Sequence, residues 1–147
     1  MLRKDVLSYD ERVFVLDNWH EGANHISTSA GAFFTPTGLA RDFAIDACGG
    51  RTIDLCAGIG MLAFHVFWRA HYARERDEPP KEIVCIECNP AYVEVGRKVL
   101  PEARWICADV LDFDLASLGR FNKRDCKSTV RRDAEDRKWA VLHRPVV

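Results

Sequence analysis

No run of 18 apolar residues occurs in the 147-residue sequence, which argues against a membrane-spanning helix. The opening Met1-Leu2-Arg3-Lys4-Asp5 is not followed by the apolar core of a signal peptide, so a cytoplasmic protein is expected. Charge of one sign is also missing: 21 Lys and Arg stand against 22 Asp and Glu. A wholly basic nucleic-acid binder is thereby excluded. The chain has no internal repeat and no low-complexity tract, and its length rules out two full domains.

The six cysteines (Cys48, Cys56, Cys85, Cys88, Cys107 and Cys126) lie mostly within apolar runs, as small buried hydrophobes do in a reducing compartment. Cys85-Ile86-Glu87-Cys88 has the spacing of a zinc or redox pair. No second such pair accompanies it, and neither His20 and His25 nor His65 and His71 have the i,i+4 spacing of metal-binding helices. No metal and no disulfide framework are expected.

What is present divides unevenly. Residues 1–121 hold 13 basic and 18 acidic residues, a balance of −5, whereas residues 122–147 hold 8 and 4, a balance of +4. Apolar spacing predicts a helix from Tyr9 to Trp19 and a loop from Asn18 to Ala32. At Thr35-Pro36 a second helix is expected, with Thr35 as its cap and Pro36 as its first residue, running to about Ala47 and stopped by Gly49-Gly50. Thereafter short β-type runs alternate with helical ones, as in a parallel α/β sheet. Strands are expected at Arg51–Leu55, Glu82–Glu87 and Arg104–Ala108. The helices between them run from Met61 to about Arg74 and from Asn89-Pro90 to Leu100, with a charged surface connection over Arg74–Lys81.

The chemistry concentrates at the carboxyl ends of these strands. Asp54-Leu55-Cys56-Ala57-Gly58-Ile59-Gly60 ends the first, and its glycines allow close approach of backbone to ligand where a helix N-terminus points into the crevice. Glu87 ends the second strand and Asp109 the third. Parallel strand ends lie side by side, so these carboxylates can accept hydrogen bonds from different parts of one elongated ligand.

Asp54-x-x-x-Gly58-x-Gly60, Glu87 and Asp109 resemble the first three motifs of class I S-adenosylmethionine-dependent methyltransferases. The resemblance implies a Rossmann-like, doubly wound α/β methyltransferase core with an N-terminal helical extension, and S-adenosylmethionine as cofactor. It places Gly58 and Gly60 beneath the methionine part, Glu87 at the ribose hydroxyls, Asp109 at the adenine amino group and Asp54 near the methionyl amino group. Gly31-Ala32-Phe33-Phe34-Thr35-Pro36 is similar to the Phe-x-Thr-Pro segment of amino-group DNA methyltransferases, including restriction-modification subunits. It implies that Phe34, Thr35 and Pro36 help hold the methionine end, and that DNA adenine-N6 methylation is the activity.

Two other readings stay open. Gly58-Ile59-Gly60-Met61-Leu62-Ala63 also fits the dinucleotide fingerprint of an NAD-dependent oxidoreductase, but that reading gives no role to Asp109 or the Phe33–Pro36 segment. The other is a noncatalytic cofactor-binding module or a truncated remnant. Methylation of an exocyclic amino group needs the base extruded from the duplex and its amino group oriented. In the resembling family a Pro-Pro-aromatic motif after strand 4 does this, and none follows Asp109 here. Pro79-Pro80 is followed by Lys81 and lies in the wrong connection. No catalytic residue is therefore assigned, and a protein partner or missing C-terminal half is expected to supply one.

The organisation expected is an N-terminal helix and loop (1–35), an S-adenosylmethionine-binding α/β core (36–121) and a basic tail (122–147). Apolar periodicity stops at Phe121, where a fourth strand is due, and Asn122–Lys138 is too polar to form a buried central strand. A basic nucleic-acid-binding tail and a shift of reading frame near Phe121 both account for that break.

Overall fold

The computed structural model describes residues 3–19, 34–47, 50–72, 82–121 and 123–126. Ser8 opens the first helix, α1 (Tyr9–Asn18), through a capping box: its hydroxyl accepts from the Glu11 amide while the Glu11 carboxylate accepts from the Ser8 amide at 3.0 Å. These bonds satisfy two donors that a helix start leaves unpaired. α1 is anchored by Arg12, only 7% exposed. Its guanidinium donates to both oxygens of Glu102 at 2.9 and 3.0 Å and to the Leu7 carbonyl, and it lies 5.9 Å from the centre of the Trp68 ring.

The second helix, α2 (Thr37–Asp46), starts later than expected. Pro36 occupies the cap position and no side chain caps the helix, so Thr35 is not the cap. The hydroxyl that anchors this helix is Thr37, which donates to the Asp17 carboxylate at the end of α1. Gly50, at φ 72°, makes the turn out of the region after α2.

The strands β1 (Arg51–Leu55), β2 (Glu82–Glu87) and β3 (Arg104–Cys107) alternate with helices α3 (Met61–Tyr72) and α4 (Pro90–Val99). Asn89 caps α4 by accepting from the Ala91 amide, with Pro90 just inside the helix, as the sequence pattern requires. The parallel sheet has the order β3-β2-β1-β4, where β4 is Lys123–Cys126. One face packs Ile83, Cys85 and the helices around Phe64, Leu62 and Val99. On the other face Ile53, Val84 and Ile86 are covered by Leu118 and by half-buried groups including Phe113 and Phe121.

A short strand, β4, follows Phe121 at the end of the strand order, next to β1, where the sequence predicts no buried central strand. It pairs in parallel with β1 from Thr52↔Lys123 to Leu55↔Cys126. A ladder is built from main-chain N–H and C=O groups, which polar residues supply as well as apolar ones, so apolar periodicity is blind to it. Arg51 brings the chain to that position. It donates to the carbonyls of Leu118 and Arg120 at 3.0 and 2.9 Å, pairs with Glu82, and covers the Phe121 ring at 4.5 Å.

The loop expected over 18–32, apart from Asn18 and Trp19, lies outside the described residues. So do Phe33, the connection 73–81 and residues 127–147.

Candidate functional site

The turn after β1 takes its shape from three residues in the left-handed region: Cys56 (φ 64°), Gly58 (φ 57°) and Gly60 (φ 92°). Such angles are costly for side-chain-bearing residues. Space is limiting as well. A Cβ on Gly60 would stand 3.0 Å from the Trp105 ring, and one on Gly58 3.3 Å from the Phe34 ring. The Ala57 amide donates to the Ile86 carbonyl at 2.9 Å, carrying the β1–β2 pairing into the turn, and the Phe64 amide bonds the Gly60 carbonyl at 2.8 Å to begin α3.

Glu87 joins this turn to the end of β2. One carboxylate oxygen accepts from the Gly58 amide at 2.9 Å, and the other accepts from the Asn89 amide at 2.8 Å. The side chain is buried (7% exposed); the two amides and the Cys88 thiol use three of a carboxylate's roughly four acceptor sites, so it can still accept from a ligand. The Ala108 amide donates to the Glu87 carbonyl at 3.0 Å. This places Asp109, which is exposed and accepts from the Leu111 amide at 2.9 Å, in the same cleft.

That cleft has a volume of about 90 Å³; Cys56, Cys88, Ile86 and Leu111 contribute to its walls. Complete small-molecule pockets span about 300–1,000 Å³. The space therefore suits one end of an elongated ligand, such as a heterocyclic base against apolar walls with carboxylates beside it. Cys88 Sγ lies 3.4 Å from Glu87 Oε1. Burial and the neighbouring carboxylate push its thiol pKa up, and burial raises that of Cys85 further. Both favour the protonated thiol. Among the described residues no group of three or more His, Cys, Asp and Glu side chains could hold a metal ion.

The residues singled out in the sequence do not all reach one surface. Glu87 and Asp109 line the cleft, Gly58 bonds Glu87, and Phe34 lies on Gly58. Asp54 is 2% exposed and lies beside Cys85 within the sheet. Gly60 packs on Trp105. Thr35 is half-buried and Pro36 exposed as they lead into α2. Sequence reasoning missed the cleft walls Cys56, Cys88 and Leu111, the Trp105 ring against Gly60, and the rings of Trp19 and Tyr92 that pack on Phe34. Position next to the three motifs was the available signal for the first group. The rings come from distant elements and gave none.

The fold, as distinct from the site, has a counterpart among solved proteins. A crystal structure from Pyrococcus horikoshii, described as that of "a putative RNA methyltransferase", aligns with 80% of this chain at 20% identity and a TM-score of 0.57. The chain has a methyltransferase fold. It spans 58% of the length of that protein. Partial alignments also link it to a tRNA m1G37 methyltransferase of M. jannaschii, with 19% identity, 63% of this chain, 28% of that one and a TM-score of 0.45. The glycopeptide N-methyltransferase MtfA aligns at 18% identity over 73% of this chain and 45% of that one, with a TM-score of 0.44. No protein-family model and no curated protein matches the sequence.

Proposed function

We propose that this chain is the cofactor-binding part of an S-adenosylmethionine-dependent methyltransferase. The observation that carries the reading is the Glu87 carboxylate, which bonds the Gly58 amide while lining the same cleft as Asp109. The two acids stand at the ends of adjacent strands, Glu87 as the last residue of β2 and Asp109 just beyond β3. They suit the vicinal hydroxyls of a ribose and the amino group of an adenine. The turn through Gly58 and Gly60, with Phe34-Thr35-Pro36 beside it, would lie at the methionyl part, and Asp54 near the methionyl amino group. The bound cofactor would supply an electrophilic methyl group on a sulfonium.

For the acceptor, the reading is nucleic acid. The Phe-Phe-Thr-Pro segment favours DNA adenine-N6, because Phe34 does lie against the glycine turn. RNA is the second reading, favoured by the description of the Pyrococcus horikoshii protein. The groups that would orient the acceptor come from a protein partner or a further polypeptide segment. Incubation of the chain with S-adenosylmethionine carrying a labelled methyl group, and with unmethylated DNA or RNA, tests this. Cofactor binding with little transfer is expected from this chain alone. Robust transfer to RNA and none to DNA would overturn the adenine-N6 assignment.

A further inference from the structure

Two thiols line the cleft from adjacent strand ends: Cys56 in the turn after β1 and Cys88 just beyond β2. Cys56 is half-buried and Cys88 is exposed. Of the three left-handed positions in the turn, only that of Cys56 carries a side chain. A glycine adopts such a backbone more readily, so the position keeps a thiol on the cleft wall at a conformational cost. Cys107, at the end of β3, is also exposed but is not part of that wall; its Sγ points to the Cys88 carbonyl oxygen at 3.7 Å. Cys85 is fully buried in the sheet.

The charges around Cys88 select what can react with it. Its Sγ lies 3.4 Å from Glu87 Oε1, and Asp109 lines the same cleft. Burial and these two carboxylates push the thiol pKa up, because a thiolate there is partly desolvated and faces like charge. A reagent that carries positive charge into the cleft offsets the second effect. It is drawn to the carboxylates and favours the thiolate that attacks it. The space of about 90 Å³ admits a short aliphatic amine, and a group held there occupies the volume that the adenosine end of a cofactor needs.

We propose that Cys88 and Cys56 form a thiolation site at which a low-molecular-weight disulfide bearing primary amines reversibly closes the cofactor cleft. The thiol loses its proton, and the thiolate attacks one sulfur of the disulfide. The new Sγ–S bond forms as the S–S bond breaks, and the departing thiolate takes up the proton. The protein thiol is oxidised, the disulfide is reduced, and a reducing thiol reverses the exchange. The inference rests on the function proposed above and adds to it a redox control on cofactor entry.

Exposure of the full chain to cystamine, with and without saturating S-adenosylmethionine, followed by peptide mapping of the adducts by mass spectrometry, tests it. Cysteamine adducts should form on Cys88 and more slowly on Cys56, and the cofactor should protect both while leaving Cys107 unprotected. S-adenosylmethionine binding, read by calorimetry, should weaken about tenfold or more on modification and return on reduction with dithiothreitol, in Cys107→Ser as in the unmodified sequence. At low salt, cystamine should outpace the anionic disulfide of mercaptopropionic acid about threefold or more at Cys88, relative to the same ratio at Cys107. Adducts on Cys107 alone, no charge preference at Cys88, or modification of Cys88 that leaves binding intact would overturn the inference. Failure of the untreated chain to bind S-adenosylmethionine would instead overturn the proposed function, and the charge preference at Cys88 would still decide whether the thiolation site exists.

Discussion

The amide of Gly58 donates to Glu87 Oε2 at 2.9 Å, tying the turn after β1 to the end of β2. The second Glu87 oxygen holds the Asn89 amide at the start of α4. One buried carboxylate thus sets the position of a turn and a helix start, and a ligand bonded to Glu87 meets a preorganised surface. Removing the carboxylate leaves two amides without their charged acceptor. Glu87→Ala should cost about 2 kcal/mol of stability, read from urea unfolding, and Glu87→Gln less, because its amide oxygen still accepts. Unchanged unfolding midpoints would mean that the turn holds its shape without Glu87.

Gly96 presents a case where packing and helix propensity oppose each other. Alanine in place of a mid-helix glycine gains up to about 1 kcal/mol from propensity. Here a Cβ would come within 2.2 Å of the Trp105 ring, whose indole nitrogen is fixed by a 3.0 Å bond to the Leu100 carbonyl. Overpacking costs about 1–3 kcal/mol and wins. Gly96→Ala should lower the melting temperature, and a rise would show that Trp105 can move freely.

Arg12 holds α1 to the body of the domain through Glu102. Truncation of one partner of a fully buried pair costs about 3–5 kcal/mol, but the Glu102 side chain is 34% exposed and water offsets part of that. Arg12→Ala should therefore destabilise by about 2 kcal/mol, and it also leaves the Leu7 carbonyl without a donor. A double-mutant cycle with Glu102→Ala measures the coupling, and a coupling near zero would contradict the anchoring role.

His65 gives a pH dependence with a definite sign. Burial, reinforced by Arg41 and opposed by Asp17, lowers its pKa below the ordinary value of 6.5. The unfolded chain therefore binds the proton first as pH falls. The contribution of His65 to stability is complete above about pH 6.5 and is lost progressively below it, down to the folded pKa. Melting temperatures across pH 7.5 to 5 should fall more steeply for the unmodified chain than for His65→Gln. Parallel curves would refute the assignment.

Much of the fold was legible because burial imposes periodicity. The ranges of β1 and β2 follow from apolar runs bounded by glycine, proline and charge, and α4 from Asn89-Pro90. The glycine turn and the shared cleft of Glu87 and Asp109 follow from their places at strand ends. β4 was not legible, because Lys123-Arg124-Asp125-Cys126 joins the sheet through its main chain and is steered there by Arg51, a residue 72 positions earlier than Lys123. The cap of α2 was misread because no side chain caps that helix; Thr37, bonded to Asp17 in another helix, anchors it instead. The Trp19–Phe34–Tyr92 cluster escaped for the same reason: tertiary contact brings it together.

The central claim, that the row of strand ends binds S-adenosylmethionine through Glu87 and Asp109, is tested most directly by calorimetric titration of the full chain with S-adenosylmethionine and with NAD. The account predicts binding of the first and not of the second, with affinity reduced about tenfold or more in Glu87→Ala and in Asp109→Ala. Absence of S-adenosylmethionine binding, or an affinity unchanged in both variants, would contradict it.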